Sequence, residues 1–384
     1  MQQGKKFFFI AGEASGDLHA SNLALALLKQ DPTLLLVGWG GDLMHREGVK
    51  ISTHFKDLAF MGFWEVLKNI RTIFKNIQRC KDEISNERPD AIILIDYPGF
   101  NLRIAAWAKK QGIPVYYYIA PQIWAWKENR VHKIKRDVTE LYAVLPFEKD
   151  FYARKGMDVQ FVGHPLLDEM NKRKRVSGEE FRKKYFLDNR PIIALLPGSR
   201  KQEVTRMLNV MLEMKYKFPE HQFIIAGAPS LPENLYKEII GKHKVSLFYN
   251  VTYDLVEASE AALVTSGTAT LETALLGTPQ VVCYRANAIS FAIAKRLVKI
   301  KFISLVNLLL NREAVRELIQ DEWNVTQAED ELRAVTIGGS KREAVLASYA
   351  ELKESLGNGG ASELTASLLL KNIQGLSQAY IIRA

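Results

Sequence analysis

The sequence predicts an α/β protein built as two doubly wound domains that face a cleft. Three observations predict it. The chain has 384 residues, and at roughly 100–200 residues per domain that length points to two domains. Short apolar runs alternate with longer amphipathic segments, the rhythm of parallel strands covered by helices. The rhythm breaks after Gly163-His164-Pro165, passes through the basic stretch Lys172-Arg173-Lys174-Arg175, and then starts again.

In the first half the predicted strands cover residues 7–11, 34–38, 91–95, 115–119, 141–145 and 159–162. These runs are apolar throughout rather than alternating, as strands buried on both faces must be. Helix-like segments fill the intervals. The charged stretch after Pro165 reads as a solvated connection between domains. The second half supplies strands at 192–196, 222–226, 245–248, 261–264 and 280–283. The expected boundaries are 1–168 for the first domain and 169–355 for the second. The Gly-rich stretch 357–360 precedes a final helix at 363–373, and the tail over 360–384 is expected to pack back on the first domain.

Hydrophobic residues make up 47% and charged residues 25%, which excludes wholesale disorder. Lys and Arg number 52 against 43 Asp and Glu, a net charge of +9. Such an excess favours anionic partners such as phosphates, nucleotides, nucleic acid or an anionic membrane face. Two cysteines, Cys80 and Cys283, exclude a disulfide scaffold and a multi-cysteine zinc site and fit a reducing compartment. The opening MQQGKKFFFIAGEASGD has the basic-then-apolar order of a signal peptide, but its apolar run is too short and ends at Gly12, Glu13 and Asp17. It reads as a buried first strand. No uninterrupted apolar stretch is long enough to span a bilayer. The expectation is a cytoplasmic protein, free or held at a membrane surface.

Four strand-to-helix turns carry the chemistry. Gly12-Glu13-Ala14-Ser15-Gly16-Asp17 follows the first strand and puts two carboxylates in one short loop. It is either a tight turn with Asp17 as a helix cap or a site for a ligand at the helix N-terminus. Asp96 ends the strand at 91–95 and opens the Tyr97-Pro98-Gly99 turn. A desolvated carboxylate there suits a general base; a capping Asp fits the same residues. Pro197-Gly198-Ser199-Arg200 opens the second domain's first helix, where Arg200 offers a donor fork to a diphosphate and Glu203 could orient it. Thr265-Ser266-Gly267-Thr268-Ala269-Thr270-Leu271-Glu272 repeats the pattern, with Glu272 placed to hold two ribose hydroxyls; a capped N-terminus with a dipole-favoured Glu is the plainer reading. There is no P-loop, no nucleophile elbow, no D-x-D carboxylate pair and no metal-ligand spacing among the seven His. His164 reads as a packed or hydrogen-bonded residue. The basic residues lack the interleaved aromatics of a nucleic-acid binder.

These motifs together resemble one family, the lipid-A-disaccharide synthases. The resemblance rests on AGEASGD (11–17), IDYPGFN (95–101), PQIWAWKENRVHKI (121–134), LPFEKDFY (145–152), FVGHPLLD (161–168), LLPGSRKQEV (195–204), TSGTATLE (265–272) and AKRLVKIKFISLVNLL (294–309), and spans most of the chain. It implies an inverting, metal-independent glycosyltransferase of the GT-B kind, with two Rossmann-like domains and no cofactor. The implied reaction joins UDP-2,3-diacylglucosamine to 2,3-diacylglucosamine 1-phosphate through a β-1,6 link and releases UDP, on the cytoplasmic face of a Gram-negative inner membrane. The implied base is Asp96, with Glu13 as helper or acceptor binder. Ser15 and Asp17 fall on the acceptor side of the same loop. The implied donor side comprises Ser199, Arg200, Glu203, Ser266, Gly267, Thr268, Thr270, Glu272 and Asn307. Some members carry a second acid where this chain has Gly99, so Asp96 is the only carboxylate in its loop. Another sugar-nucleotide enzyme such as a UDP-N-acetylglucosamine 2-epimerase, or a non-catalytic nucleotide-binding protein at a membrane surface, stands as the alternative. The oligomeric state is left open, a homodimer included, and no nucleic-acid partner is implied.

A membrane contact has its own signal. Residues 58–79 place Met61, Phe63, Trp64, Leu67, Ile70, Ile73, Phe74 and Ile77 among the basic residues Lys68, Arg71, Lys75 and Arg79. Such a helix can lie in an anionic interface or pack its apolar face on a core. Lys295, Arg296, Lys299 and Lys301 form a second basic-apolar segment.

Overall fold

The computed structural model describes residues 4–58, 70–287, 291 and 301–383. The chain divides into two compact units, Met1–Lys172 with Leu356–Ala384, and Arg173–Ser355.

In unit 1, β1 (Lys6–Ala11) leads into α1 (Ala14–Gln30), β2 (Leu35–Gly40), α2 (Asp42–Arg46) and β3 (Lys50–His54). Then follow α3 (Ile70–Glu87), β4 (Ala91–Ile95), α4 (Pro98–Lys110), β5 (Val115–Tyr118), α5 (Ile123–Trp126) and α6 (Val131–Asp137). β6 (Glu140–Ala143), α7 (Pro146–Arg154), β7 (Gln160–Phe161) and α8 (Pro165–Lys172) complete the run. The sheet is parallel, in the order β3-β2-β1-β4-β5-β6-β7. β1 and β4 are buried at every position from Phe7 to Ala11 and from Ala91 to Ile95. Their pure apolar character follows, because α/β packing covers both faces.

Unit 2 repeats the plan. α9 (Gly178–Lys184), β8 (Ile192–Leu196), α10 (Lys201–Lys217), β9 (Gln222–Gly227), α11 (Glu233–Ile240), β10 (Ser246–Tyr249) and α12 (Thr252–Glu257) come first. β11 (Ala261–Thr265), α13 (Thr268–Leu276), β12 (Gln280–Tyr284), α14 (Leu305–Leu310), β13 (Glu317–Ile319), α15 (Val325–Val335) and α16 (Arg342–Leu356) follow. The order is β10-β9-β8-β11-β12-β13, again parallel. Ile192, Ala194, Leu196, Ile224 and Val264 pack with Phe181 and Leu255 in one core, each large side chain contributing roughly 1.5–3 kcal/mol on burial.

Two strands fall outside the sequence expectation, β3 (KISTH) and β13 (ELI). Both lie at a sheet edge and are too short or too polar to read as buried strands. The final helix, Ala361–Arg383, is also longer than expected. It packs on α1, and Tyr116 donates its hydroxyl to Asn372 Oδ1 at 2.7 Å. Its N-terminus is held from a distance: the Asp168 carboxylate accepts from the N–H groups of Gly360, Ala361 and Ser362.

The amphipathic stretch of residues 58–79 divides. Met61, Phe63, Trp64 and Leu67 lie outside the described residues, as do Lys295, Arg296 and Lys299, and α3 begins at Ile70. Along α3 the apolar stripe turns inward: Ile77, Cys80 and Ile84 are buried in the unit 1 core and Ile73 packs against it. Phe74 points the other way, 59% exposed, beside exposed Arg71 and Lys75. Cys80 and Cys283 are free and buried. No helix among the described residues is long and apolar enough to cross a membrane.

Candidate active site

In unit 1 the chain leaves β1 toward β2 and returns on the other side as β4. Connections diverge at such a point, and ligands bind beyond the strand ends there. The register pairs Ala11 with Ile95, so the loop after β1 meets the loop after β4. The approach is close enough to require Gly12, since a Cβ there would lie 2.4 Å from Tyr97 Cδ1.

Asp96 and Tyr97 both take the left-handed conformation, with φ of 43° and 49°. Each such residue costs of order 1–3 kcal/mol and persists only where neighbours impose it. The Asp96 carbonyl accepts from the buried Tyr117 hydroxyl and from Asn101 Nδ2, the latter at 2.8 Å. Asn101 also donates to Ile95 O at 3.2 Å. Asp96 N–H donates to Tyr118 O at 3.3 Å. Pro98 then starts α4, where its missing N–H is no loss. The Tyr97 ring stacks on Phe100 at 5.5 Å.

This frame aims the half-buried Asp96 carboxylate out of the strand end. Burial pushes its pKa up to about 6, the charge of Glu13 adds to the rise, and the Tyr97 backbone N–H opposes it. Glu13 occupies the N-cap position of α1 without a side-chain capping bond and is half-buried. It also pushes the Tyr97 hydroxyl up, after burial. Two acidic groups thus share a small volume, one of them held protonated until near-neutral pH, the condition of a general base. Gly99 is exposed, with open space around it.

Ser15 is exposed in the first turn of α1. Asp17 is different. It is buried, and its carboxylate accepts from Gly41 N–H at 2.8 Å and from Leu43 and Met44 N–H at 3.1 Å each. Three backbone donors hold it, so Asp17 anchors α2. His164 is packed as expected: burial lowers its pKa to about 3, and its Nδ1 accepts from Leu166 N–H at 3.2 Å.

In unit 2 the equivalent divergence lies between β8 and β11, where Leu196 pairs with Val264. Gly198 has φ of +106°, and a Cβ there would meet Glu203 Oε2 at 2.5 Å. Glu203 folds back to accept from Ser199 N–H at 3.0 Å and Arg200 N–H at 3.2 Å. It therefore caps α10 itself and takes the donors that an incoming phosphate would use. Its other oxygen lies 3.4 Å from Arg200 Nη1, and Ser199 and Arg200 remain exposed. At the second turn Gly267 and Thr268 are exposed, and a Cβ added at Gly267 would meet nothing within 4 Å. Ser266 donates its hydroxyl to Ile303 O at 2.9 Å. Burial raises the Glu272 carboxyl, with a Tyr253 hydrogen bond opposing.

Two donor-side expectations give way. Thr270 is fully buried and donates to Gly267 O at 2.8 Å, inside the turn. Asn307 is also fully buried. Its Nδ2 donates to Val315 O and Glu317 Oε1, and its Oδ1 accepts from Ala314 and Val315 N–H. With every donor and acceptor spent, it shapes the segment before β13 and has nothing left for a ligand.

The supporting residues Tyr117 and Asn101 were not singled out by sequence, nor was Glu148. Glu148 accepts from Val144 and Leu145 N–H at 3.1 and 3.0 Å and from Trp124 Nε1 at 3.2 Å; burial lifts its pKa to about 7. Its one sequence signal was position, a Glu three residues into a Pro-initiated helix in LPFEKDFY.

Two parallel Rossmann-like sheets of this order define a class, the GT-B glycosyltransferases and epimerases. Solved structures agree in fold. A UDP-GlcNAc 2-epimerase from Neisseria meningitidis bound to UDP-GlcNAc superposes with a TM-score of 0.63 at 16% identity, covering 95% of this chain and 99% of that one. The glycotransferase of kitacinnamycin gives 0.64 at 12% identity, covering 96% and 99%. Sequence is more specific. Residues 7–370 match the lipid-A-disaccharide synthetase family. The lipid-A-disaccharide synthase of Syntrophus aciditrophicus is 41% identical over 378 residues, 96% of this chain and 98% of that protein. That of Geobacter metallireducens is 38% identical over 378 residues, 96% and 97%. The chain belongs to the lipid-A-disaccharide synthase family, and it is a glycosyltransferase of lipid A disaccharide synthesis.

Proposed function

We propose that the chain transfers 2,3-diacylglucosamine from UDP-2,3-diacylglucosamine to the 6-hydroxyl of 2,3-diacylglucosamine 1-phosphate. The acceptor oxygen attacks the anomeric carbon and the bond to the diphosphate breaks with inversion. The hydroxyl proton passes to Asp96, and the electron pair leaves with UDP. Glu13 assists by raising the basicity of Asp96 and by orienting the acceptor beside Ser15. Arg200, the Ser199 hydroxyl and the N-terminus of α13, with Ser266, Gly267 and Thr268, meet the charge on the departing diphosphate. Glu272 holds the ribose. Glu203 acts as a preset cap that keeps Arg200 in place.

One observation carries the reading: a carboxylate with a pKa near 6 sits on a strained, heavily braced turn where the β1 and β4 loops diverge. A fold-level epimerase reading has no comparable support, because the sequence kinship lies with the synthases. Asp96→Asn is expected to keep the fold and UDP binding and to lose about 10²–10⁴-fold in turnover. Turnover near that of the wild type would remove Asp96 as the base. We also propose that the enzyme works as a peripheral protein on an anionic membrane face, with exposed Phe74, Arg71 and Lys75 of α3 contributing to the contact.

A further inference from the structure

Two fully buried polar side chains hold the Asp96 turn, Asn101 near the start of α4 and Tyr117 in β5. Asn101 makes the wider set of contacts. Its Nδ2 lies 2.8 Å from Asp96 O, 3.2 Å from Ile95 O and 3.5 Å from Ile10 O. The first two carbonyls finish β4, and the third belongs to β1, three residues before Glu13. One amide group therefore ties together the ends of the two strands whose loops carry the two acids. Asn101 also closes the turn through its main chain, donating its N–H to Tyr97 O at 3.0 Å.

Tyr117 acts from the neighbouring strand. It stands opposite Leu94, and its hydroxyl donates to Asp96 O at 2.5 Å. The Asp96 carbonyl thus accepts from side chains on two elements, while the Asp96 N–H donates to Tyr118 O at 3.3 Å. With the groups on either side of its Cα held, the direction of the Asp96 side chain is fixed by its neighbours. The arrangement is costly. Asp96 and Tyr97 sit in the left-handed region, and Asn101 Oδ1 is buried with no hydrogen-bond partner among the described residues. Strain and an unmatched buried acceptor both oppose folding, so keeping them points to function rather than to packing.

We propose that Asn101 and Tyr117 are positioning residues of the transfer, holding the Asp96 carboxylate at a set place relative to Glu13 and the acceptor hydroxyl without touching substrate themselves. The proposal rests on Asp96 being the base. A proton acceptor displaced by about 1 Å can cost about 10²-fold in rate, and that is the loss these two side chains prevent. Substrate binding does not depend on them.

The test places Tyr117→Phe and Asn101→Ser in the wild type and in Asp96→Asn, with both lipid substrates in neutral detergent micelles. Turnover of Asp96→Asn near that of the wild type, or no turnover by the wild type, would overturn the underlying reading. Given a loss in Asp96→Asn, each positioning variant alone should lower kcat about 10–100-fold. The KM values for donor and acceptor should stay within about twofold, and UDP binding should hold. In the Asp96→Asn background neither variant should lower the residual rate further, because both act through the carboxylate already removed. Full turnover by either variant would overturn the proposal. So would losses that multiply in the double variants, or a raised KM at constant kcat, which would place these side chains on another step or on the substrate. Tyr117→Phe deletes one hydroxyl and keeps the ring, so it decides the matter if Asn101→Ser fails to fold.

Discussion

Asp96 shows how a single residue is tuned by what surrounds it. Its backbone is strained, its carbonyl is held by Tyr117 and Asn101, and its carboxylate is raised by burial and by Glu13. A base must be ionised to act, so kcat/KM should climb tenfold per pH unit up to about 6 and flatten above it. Glu13→Gln removes the neighbouring negative charge that raises this pKa, so the acidic limb should move to lower pH. A pH profile of that variant checks it; an unmoved limb would separate Glu13 from the base. Asp96 itself was legible in the sequence as an acid at a strand end. The two-residue left-handed turn was not, because nothing about Asp-Tyr demands it until Tyr117 and Asn101 are brought to its carbonyl.

At the level of elements, carboxylates repeatedly close helix N-termini. Glu203 caps α10 from within, Asp17 holds α2 from α1, and Asp168 holds the final helix from α8. An unsatisfied N-terminus leaves backbone donors without partners. Asp168→Ala leaves three N–H donors without their acceptor at a buried site and should cost about 2–3 kcal/mol, read as a lower urea midpoint with faster hydrogen exchange in the Ala361–Arg383 helix. Unchanged stability would mean that water replaces the carboxylate at no loss. The strands tell the same story of legibility. β1, β4, β8 and β11 announce themselves because both faces are covered, whereas β3 and β13 do not, because an edge strand needs no continuous apolar run.

The whole molecule carries a net charge of +9 and must stabilise a diphosphate leaving group. If Arg200 and the N-terminus of α13 meet that charge as proposed, activity should survive excess EDTA; loss on chelation, restored by magnesium or manganese, would show that a cation is required. For the membrane contact, Phe74→Ser should leave the melting temperature nearly unchanged, because the ring is 59% exposed, and should weaken binding to anionic liposomes. Salt should release the wild type only in part, since the apolar contribution is not screened. A large fall in melting temperature with normal liposome binding would return Phe74 to a purely structural role.

The sequence by itself determined the two parallel sheets, the turns that end their central strands and the family. Buried parallel strands and strand-end motifs are written in contiguous residues. Only the tertiary structure decided which polar residues in those motifs face outward. Asp17 and Asp96 look alike in the string, as do Asn307 and Arg200. Asp17 meets donors more than twenty residues away at Gly41 and Met44, and Asn307 is satisfied inside its own fold by Val315 and Glu317. Asp96 keeps its carboxylate available because Tyr117 and Asn101 bind its backbone carbonyl instead, and Arg200 stays exposed although Glu203 lies 3.4 Å from its Nη1. A hydrogen bond is a statement about three-dimensional proximity, and a buried polar group must find its partners wherever the fold brings them.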